Sequence, residues 1–158
     1  MRQTPAVRIS AKVDYAVRAL VELAAGDPGT PVKAEEIAAR QTIPLRFLLN
    51  ILGELKVGRL VESRRGTVGG YWLARPAKEI TIADVIRAVE GPLADVHGIP
   101  PEDLDYTGPA APLREVWLGV RAVLRGVLER ISLADVVAGN LPSELRAELG
   151  NPEAWQRR

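Results

Sequence analysis

Val13, Ala16, Val17, Leu20, Val21 and Ala24 recur at the three-and-four spacing that gathers apolar side chains on one helix face, and Gly26-Asp27-Pro28-Gly29 ends the run. Ser10 stands where a cap belongs, and Asp14 lies early enough to favour the positive helix end. The pattern predicts a second helix over Ala34–Arg40 and a third over Leu45–Val57, with Gln41-Thr42-Ile43-Pro44 between them. Pro44 opens the third helix where a missing N–H costs least. Ile37, Ile43, Leu48 and Ile51 point inward, and Ala38 is small enough for a close crossing. Two short helices at this separation match a helix-turn-helix whose second helix enters a DNA groove.

The period then changes. Leu60 to Arg64 and Tyr71 to Ala74 read as two strands, and Arg75-Pro76 ends the second. Between them, Arg64-Arg65-Gly66-Thr67-Val68-Gly69-Gly70-Tyr71 has the composition of a basic hairpin tip. Its glycines permit a tight turn or close approach, and its arginines supply charge that a polyanion would neutralise. A helix-turn-helix followed by a hairpin is a winged helix, so the expected fold is mostly α with a small β-hairpin.

Helical spacing resumes with Ile82, Val85, Ile86 and Val89, capped by Thr81 with Asp84 three residues on and ended by Gly91-Pro92. Residues 93–112 are rich in proline and acids and read as a loop. A long helix is expected over 113–131, because Leu113, Trp117, Val120, Leu124, Val127 and Ile131 stand 4, 3, 4, 3 and 4 residues apart, the spacing of a coiled-coil seam. Val116, Val123 and Leu128 widen that stripe. A helix apolar on more than one side packs on its own domain and on a second subunit, which points to a two-fold homodimer. Ser132 and Asp135 cap a short closing helix to about Ala138, and residues 140–158 read as a marginally ordered tail. The expected division is a winged helix over 8–80, a dimerisation region over 81–139 and the tail.

Charge placement sharpens this picture. Net charge is +1, but from Arg40 to Lys78 there are eight basic residues and two acids, a net of +6 that leaves −5 for the remainder. A basic module in an acidic protein presents one face to a polyanion. There is no cysteine, which excludes disulfides, thiolate metal sites and cysteine nucleophiles. The first residues lack the apolar core of a signal peptide and no apolar run reaches membrane-spanning length, so a cytoplasmic location is expected. His97, with Asp95, Glu102, Asp103 and Asp105 in the same loop, has no tight metal-ligand spacing and reads as part of a solvated acidic loop. No nucleophile–base pair, phosphate loop or carboxylate dyad stands out, so an enzyme is not expected.

The order Arg8-Ile9-Ser10-Ala11-Lys12-Val13-Asp14-Tyr15-Ala16-Val17-Arg18, then Ile43-Pro44-Leu45-Arg46-Phe47-Leu48, then Arg65-Gly66 to Gly69-Gly70-Tyr71, then Leu73-Ala74-Arg75-Pro76 and Ile82-Ala83-Asp84-Val85-Ile86 resembles the Rrf2 family of bacterial transcriptional regulators. The resemblance spans about residues 8 to 138. It implies a dimeric winged helix whose long helix crosses to the partner subunit. It also implies that Arg46, Phe47 and Asn50 reach base edges and that Arg65 enters the adjacent minor groove. The chemistry suits each polar residue: arginine chelates guanine, asparagine pairs with adenine, and a guanidinium suits a narrow minor groove. Arg40, Lys56, Arg59 and Arg64 are then candidates for phosphate contacts, which position without reading sequence.

One departure from the family pattern bears on control. Sensor members of the family hold an iron-sulfur cluster with three cysteines between the fourth and long helices and a fourth ligand at the position of Asp14. Without cysteine a cluster has no thiolates, and Asp14 reads as a cap or ion-pair partner. The expectation is a regulator without cofactor or bound metal, a repressor that binds a pseudo-palindromic double-stranded operator. A small metabolite or a partner enzyme would control it, as in cluster-free members that respond through an enzyme of cysteine synthesis. The alternative is a winged helix used for protein assembly, against which the basic segment argues.

Overall fold

The computed structural model describes residues 8–157. Helix α1 (Ala11–Ala25) starts where Ser10 accepts a hydrogen bond from the Val13 N–H at 3.1 Å. It is followed by α2 (Ala34–Gln41) and α3 (Leu45–Val57), the two arms of the helix-turn-helix. Strands β1 (Val61–Arg64) and β2 (Gly70–Leu73) pair antiparallel, with Val61 opposite Leu73 and Arg64 opposite Gly70. Helices α4 (Ile82–Glu90), α5 (Leu113–Leu128), α6 (Leu133–Ala138) and α7 (Ser143–Leu149) complete the chain order.

The core is built from the inward faces of α1, α2 and α3 and is closed by α4 and α6. Leu20, Ile37, Leu48, Leu52, Leu55, Val85 and Leu133 are all fully or almost fully buried in one cluster. Burying each such side chain contributes about 1.5–3 kcal/mol, so the cluster, not helix propensity, holds the short α2 and α6 in place. The wing therefore stands on a rigid base. Ile80, Ala83, Val85, Ile86, Val89, Leu93 and Leu133 belong to that same core, whereas α5 and α7 contribute no fully buried residue.

Two capping boxes sit side by side. Thr81 and Asp84 close the start of α4, Ser132 and Asp135 close the start of α6. The caps are joined by backbone bonds from the Ile82 N–H to the Ile131 carbonyl and from the Leu133 N–H to the Ile80 carbonyl, both 2.9 Å. This junction explains why α5 stops at Leu128 and does not run on to Ile131. Ile131 is drawn out of helical geometry to pair with Ile82, and its side chain is buried in its own protomer.

The segment expected as a marginal tail contains α7 and a 3-10 turn, Pro152–Trp155. Pro142 precedes α7, and an exposed ion pair between Arg130 and Glu144 at 3.2 Å links the helix to the chain that follows α5. The sequence hides this because a seven-residue helix gives fewer than two turns of period to read.

Candidate nucleic-acid interface

The turn between α2 and α3 is set by Thr42, whose backbone is left-handed at φ 53°. That turn lets the Ile43 N–H reach the Ala38 carbonyl at 2.9 Å and buries the Ile43 side chain. Helix α3 is thereby oriented with Leu48, Ile51, Leu52 and Leu55 against the core. Arg46, Asn50, Gly53 and Val57 follow on the opposite side, and all are exposed. Phe47 keeps 62% of its surface and Leu49 45%, a large apolar exposure for a helix whose other side is packed. Gly58 ends the helix where α4 crosses closely: a Cβ there would lie 2.9 Å from the Ala88 Cβ.

The wing is more than a two-stranded hairpin. Val32, just before α2, exchanges two backbone bonds with Tyr71, at 2.9 and 2.8 Å, and so forms a third, one-residue rung. This close pairing requires Gly70, at φ 147°, because a Cβ there would fall 2.6 Å from the Val32 carbonyl oxygen. At the tip the Gly69 N–H donates to the Gly66 carbonyl at 3.0 Å, closing a turn. The Lys33 ammonium also donates to the Gly66 carbonyl, bracing the tip from α2. Neither Val32 nor Lys33 stands out in the sequence.

Among the described residues, Arg46, Asn50, Arg59 and Arg65 have no hydrogen-bond or ion-pair partner, so their polar ends are free to meet a ligand. The three cations expected to meet phosphate beside Arg59 are engaged. Arg40 faces Glu36 at 3.3 Å and Glu22 at 3.7 Å, Lys56 donates to the Ser63 hydroxyl at 2.8 Å, and Arg64 donates to the Val68 carbonyl at 3.3 Å. These exposed bonds are weak enough to exchange for phosphate contacts. The Lys56–Ser63 bond and the left-handed Arg59, at φ 58°, join the end of α3 to the base of the wing. The structure thus places Arg46 and Asn50 on one helix face and Arg65 on a separate projection.

Helix α5 contains no fully buried residue. Leu113, Val116, Val120 and Val123 form an exposed stripe, Val123 at 69%, while Trp117, Leu124, Val127 and Leu128 are half-buried. Residues 93–112 are strapped along the half-buried side. The Trp117 indole N–H donates to the Tyr106 hydroxyl at 3.0 Å, Arg114 donates to the Glu102 carbonyl at 2.7 Å, and Arg121 pairs with the Glu102 carboxylate. Hydrogen bonds from its own backbone N–H and from Arg121 hold the Glu102 carboxyl below its ordinary pKa.

Among the described residues no group of three or more His, Cys, Asp or Glu side chains could hold a metal ion. His97 and Gly98, at φ 53° and 76°, are the central pair of a tight turn closed by Val96 and Ile99. Asp14 pairs with Arg18 at 3.0 Å. No helix of the described residues is long and apolar enough to cross a membrane.

Residues 9–139 match the family model for Rrf2, described as an iron-dependent transcriptional regulator. Over 139 residues the chain is 52% identical to a candidate HTH-type transcriptional regulator of Mycobacterium tuberculosis, covering 88% of this chain and 86% of that one. It is 31% identical over 132 residues to the HTH-type transcriptional regulator CymR of Bacillus subtilis, covering 84% of this chain and 91% of the relative. The structure of that CymR, described as the global cysteine regulator, superposes with a TM-score of 0.71 over 85% of this chain and 98% of that one. The structure of T. potens IscR superposes with a TM-score of 0.68 at 29% identity, over 95% of this chain and 97% of that one.

Proposed function

Because this chain belongs to the Rrf2 family of transcriptional regulators, we propose that it is a homodimeric repressor that reads a pseudo-palindromic operator and answers to a signal other than iron. It is a transcription regulator and not an enzyme, in line with the relatives it matches. The observation that carries the operator reading is the free outward pair Arg46 and Asn50 on α3, with the unpartnered Arg65 on the wing. An arginine and an asparagine on the outer face of a recognition helix suit guanine and adenine edges in the major groove, and a wing arginine suits the minor groove beside it.

The exposed stripe on α5 supports the second subunit. Gly119 and Gly126 also lie on α5, and a Cβ added at either would meet nothing within 4 Å. Mid-helix glycine costs about 1 kcal/mol relative to alanine, and the protomer makes no steric use of either. A partner helix lying close against this face would use both. Two recognition helices related by the dimer axis then meet half-sites about 34–36 Å apart. Where such a site overlaps a promoter, occupying it excludes polymerase, which is the sense in which the protein is read as a repressor.

The family's description invokes iron, but the residues of this chain do not fit a cluster. Cluster ligation needs thiolates, and the sequence has no cysteine. The signal is assigned instead to a small metabolite or partner protein acting on residues 93–112. Their attachment to α5 depends on exposed polar bonds at Glu102 and one at Tyr106. Releasing the strap would reorient α5 and change the spacing of the two recognition helices.

Selection of bound fragments from the source genome with the purified protein tests the reading. An enriched inverted repeat is expected. Fragments recovered no more often than random sequence would remove sequence-specific DNA binding and leave a protein-assembly role.

A further inference from the structure

Leu49 is a large apolar side chain on a part of α3 that the protomer leaves open, 45% exposed. With Leu48, Ile51, Leu52 and Leu55 turned inward, a rotation of about 100° per residue sets Arg46, Asn50 and Gly53 outward and Leu49 on one flank of that stripe. The two flanks can be told apart. Lys56, seven residues after Leu49 on the same edge, bonds to Ser63 of β1, so the Leu49 flank is the wing side. Glu54, seven residues after Phe47, pairs with Lys12 of α1 at 2.7 Å, so the Phe47 flank is the α1 side.

Gly53 adds a separate observation. It lies one turn beyond Leu49 in mid-helix, and a Cβ there would meet nothing within 4 Å. The protomer has no steric need for a glycine at that point, although it weakens the helix by about 1 kcal/mol relative to alanine. Close approach of an external surface next to Leu49 gives it a use. Arg46 and Lys56 stand on the exposed side of the same helix, and the Lys56–Ser63 bond joins that edge to the base of the basic wing, charges that favour a polyanion over an apolar protein face.

Resting on the DNA-binding reading above, we propose that Leu49 is a specificity-determining residue that reads a thymine through its C5-methyl group, on the wing side of the bases met by Arg46 and Asn50. In the major groove thymine presents that methyl beside its O4 acceptor, whereas cytosine presents an amino donor. A leucine buries the methyl favourably but offers the amino group no acceptor, so cytosine at this position is left with an unpaired donor. The outer face of α3 thus combines three different contacts: a bidentate cation for guanine, an amide for adenine and an apolar surface for thymine.

The test uses the full-length protein and the operator it selects. Each thymine is replaced in turn by deoxyuridine, which lacks only the methyl, and affinity is measured by fluorescence anisotropy for wild type and Leu49→Ala. At one thymine per half-site, uracil should weaken wild type about fourfold, the value of burying one methyl group. Leu49→Ala should bind the thymine and uracil operators equally there, with an unchanged circular dichroism spectrum. If no thymine is sensitive, or if uracil weakens both proteins alike, the assignment of Leu49 is overturned. Failure of the DNA-binding reading looks different, because then no operator is selected at all.

Discussion

Arg65 projects from a turn in which the surrounding positions are committed to backbone geometry. Gly66 accepts two hydrogen bonds, Gly69 has no room for a Cβ, and Gly70 lies against Val32. Arg65→Ala should therefore leave the fold intact and weaken operator binding by about 1–3 kcal/mol. An anisotropy titration in which mutant and wild type coincide would remove the wing from the interface. Gly70→Ala acts the other way, because it forces a Cβ to within 2.6 Å of the Val32 carbonyl oxygen at φ 147°. It should lower stability by about 1–3 kcal/mol in chemical denaturation. Gly53→Ala separates the two effects: it should stabilise the protein by about 0.5–1 kcal/mol while weakening DNA binding, because a Cβ there is free in the protomer but lies on the side of α3 proposed to meet DNA.

At the scale of elements, α5 and its strap divide their labour by face. Val120→Glu and Val123→Glu place charge on the exposed stripe and touch nothing in the protomer core. Either should dissociate the dimer in analytical ultracentrifugation while far-ultraviolet circular dichroism keeps the helical signal. A dimer unchanged by both would move the interface off this face. The strap has a pH signature with a definite sign. Glu102 has its pKa lowered in the folded protein by its backbone N–H and Arg121, so it supports the strap above the ordinary carboxylate pKa and loses that support as pH falls through the lowered value. Hydrogen exchange in residues 93–112 should accelerate over that acidic window, and Glu102→Gln should show the faster exchange already at neutral pH.

For the whole molecule, a net charge of +1 hides a segment of +6 that carries the recognition helix and the wing. Operator affinity should fall steeply with salt, with log K losing about 0.9 per decade of salt for each phosphate neutralised. Arg59→Ala, which removes one unpartnered cation per protomer, should reduce that slope by about 1.8 in the dimer. Iron chelation should leave affinity unchanged, since the chain offers no thiolate. A chelator that releases the operator would overturn the iron-free reading of control.

The periodic segments were legible in the sequence because each buries a stripe that local spacing reveals: α1, α3 and α4 begin and end at their caps and glycines as the pattern indicates. The absence of cysteine and the clustering of basic residues are equally matters of sequence alone. What tertiary structure decided is where distant backbone meets. Ile131 looked like one more seam residue, but pairing with Ile82 pulls it into the core and ends α5 at Leu128. Val32 and Lys33 became parts of the wing only through contacts some 33 to 39 residues along the chain, with Gly66 and Tyr71. Periodicity reports which side of a helix or strand is apolar, whereas such pairings depend on long-range closure. Leu49 falls between the two: its spacing marks it as outside the inward set, and only the packed fold shows which side of the reading face it occupies.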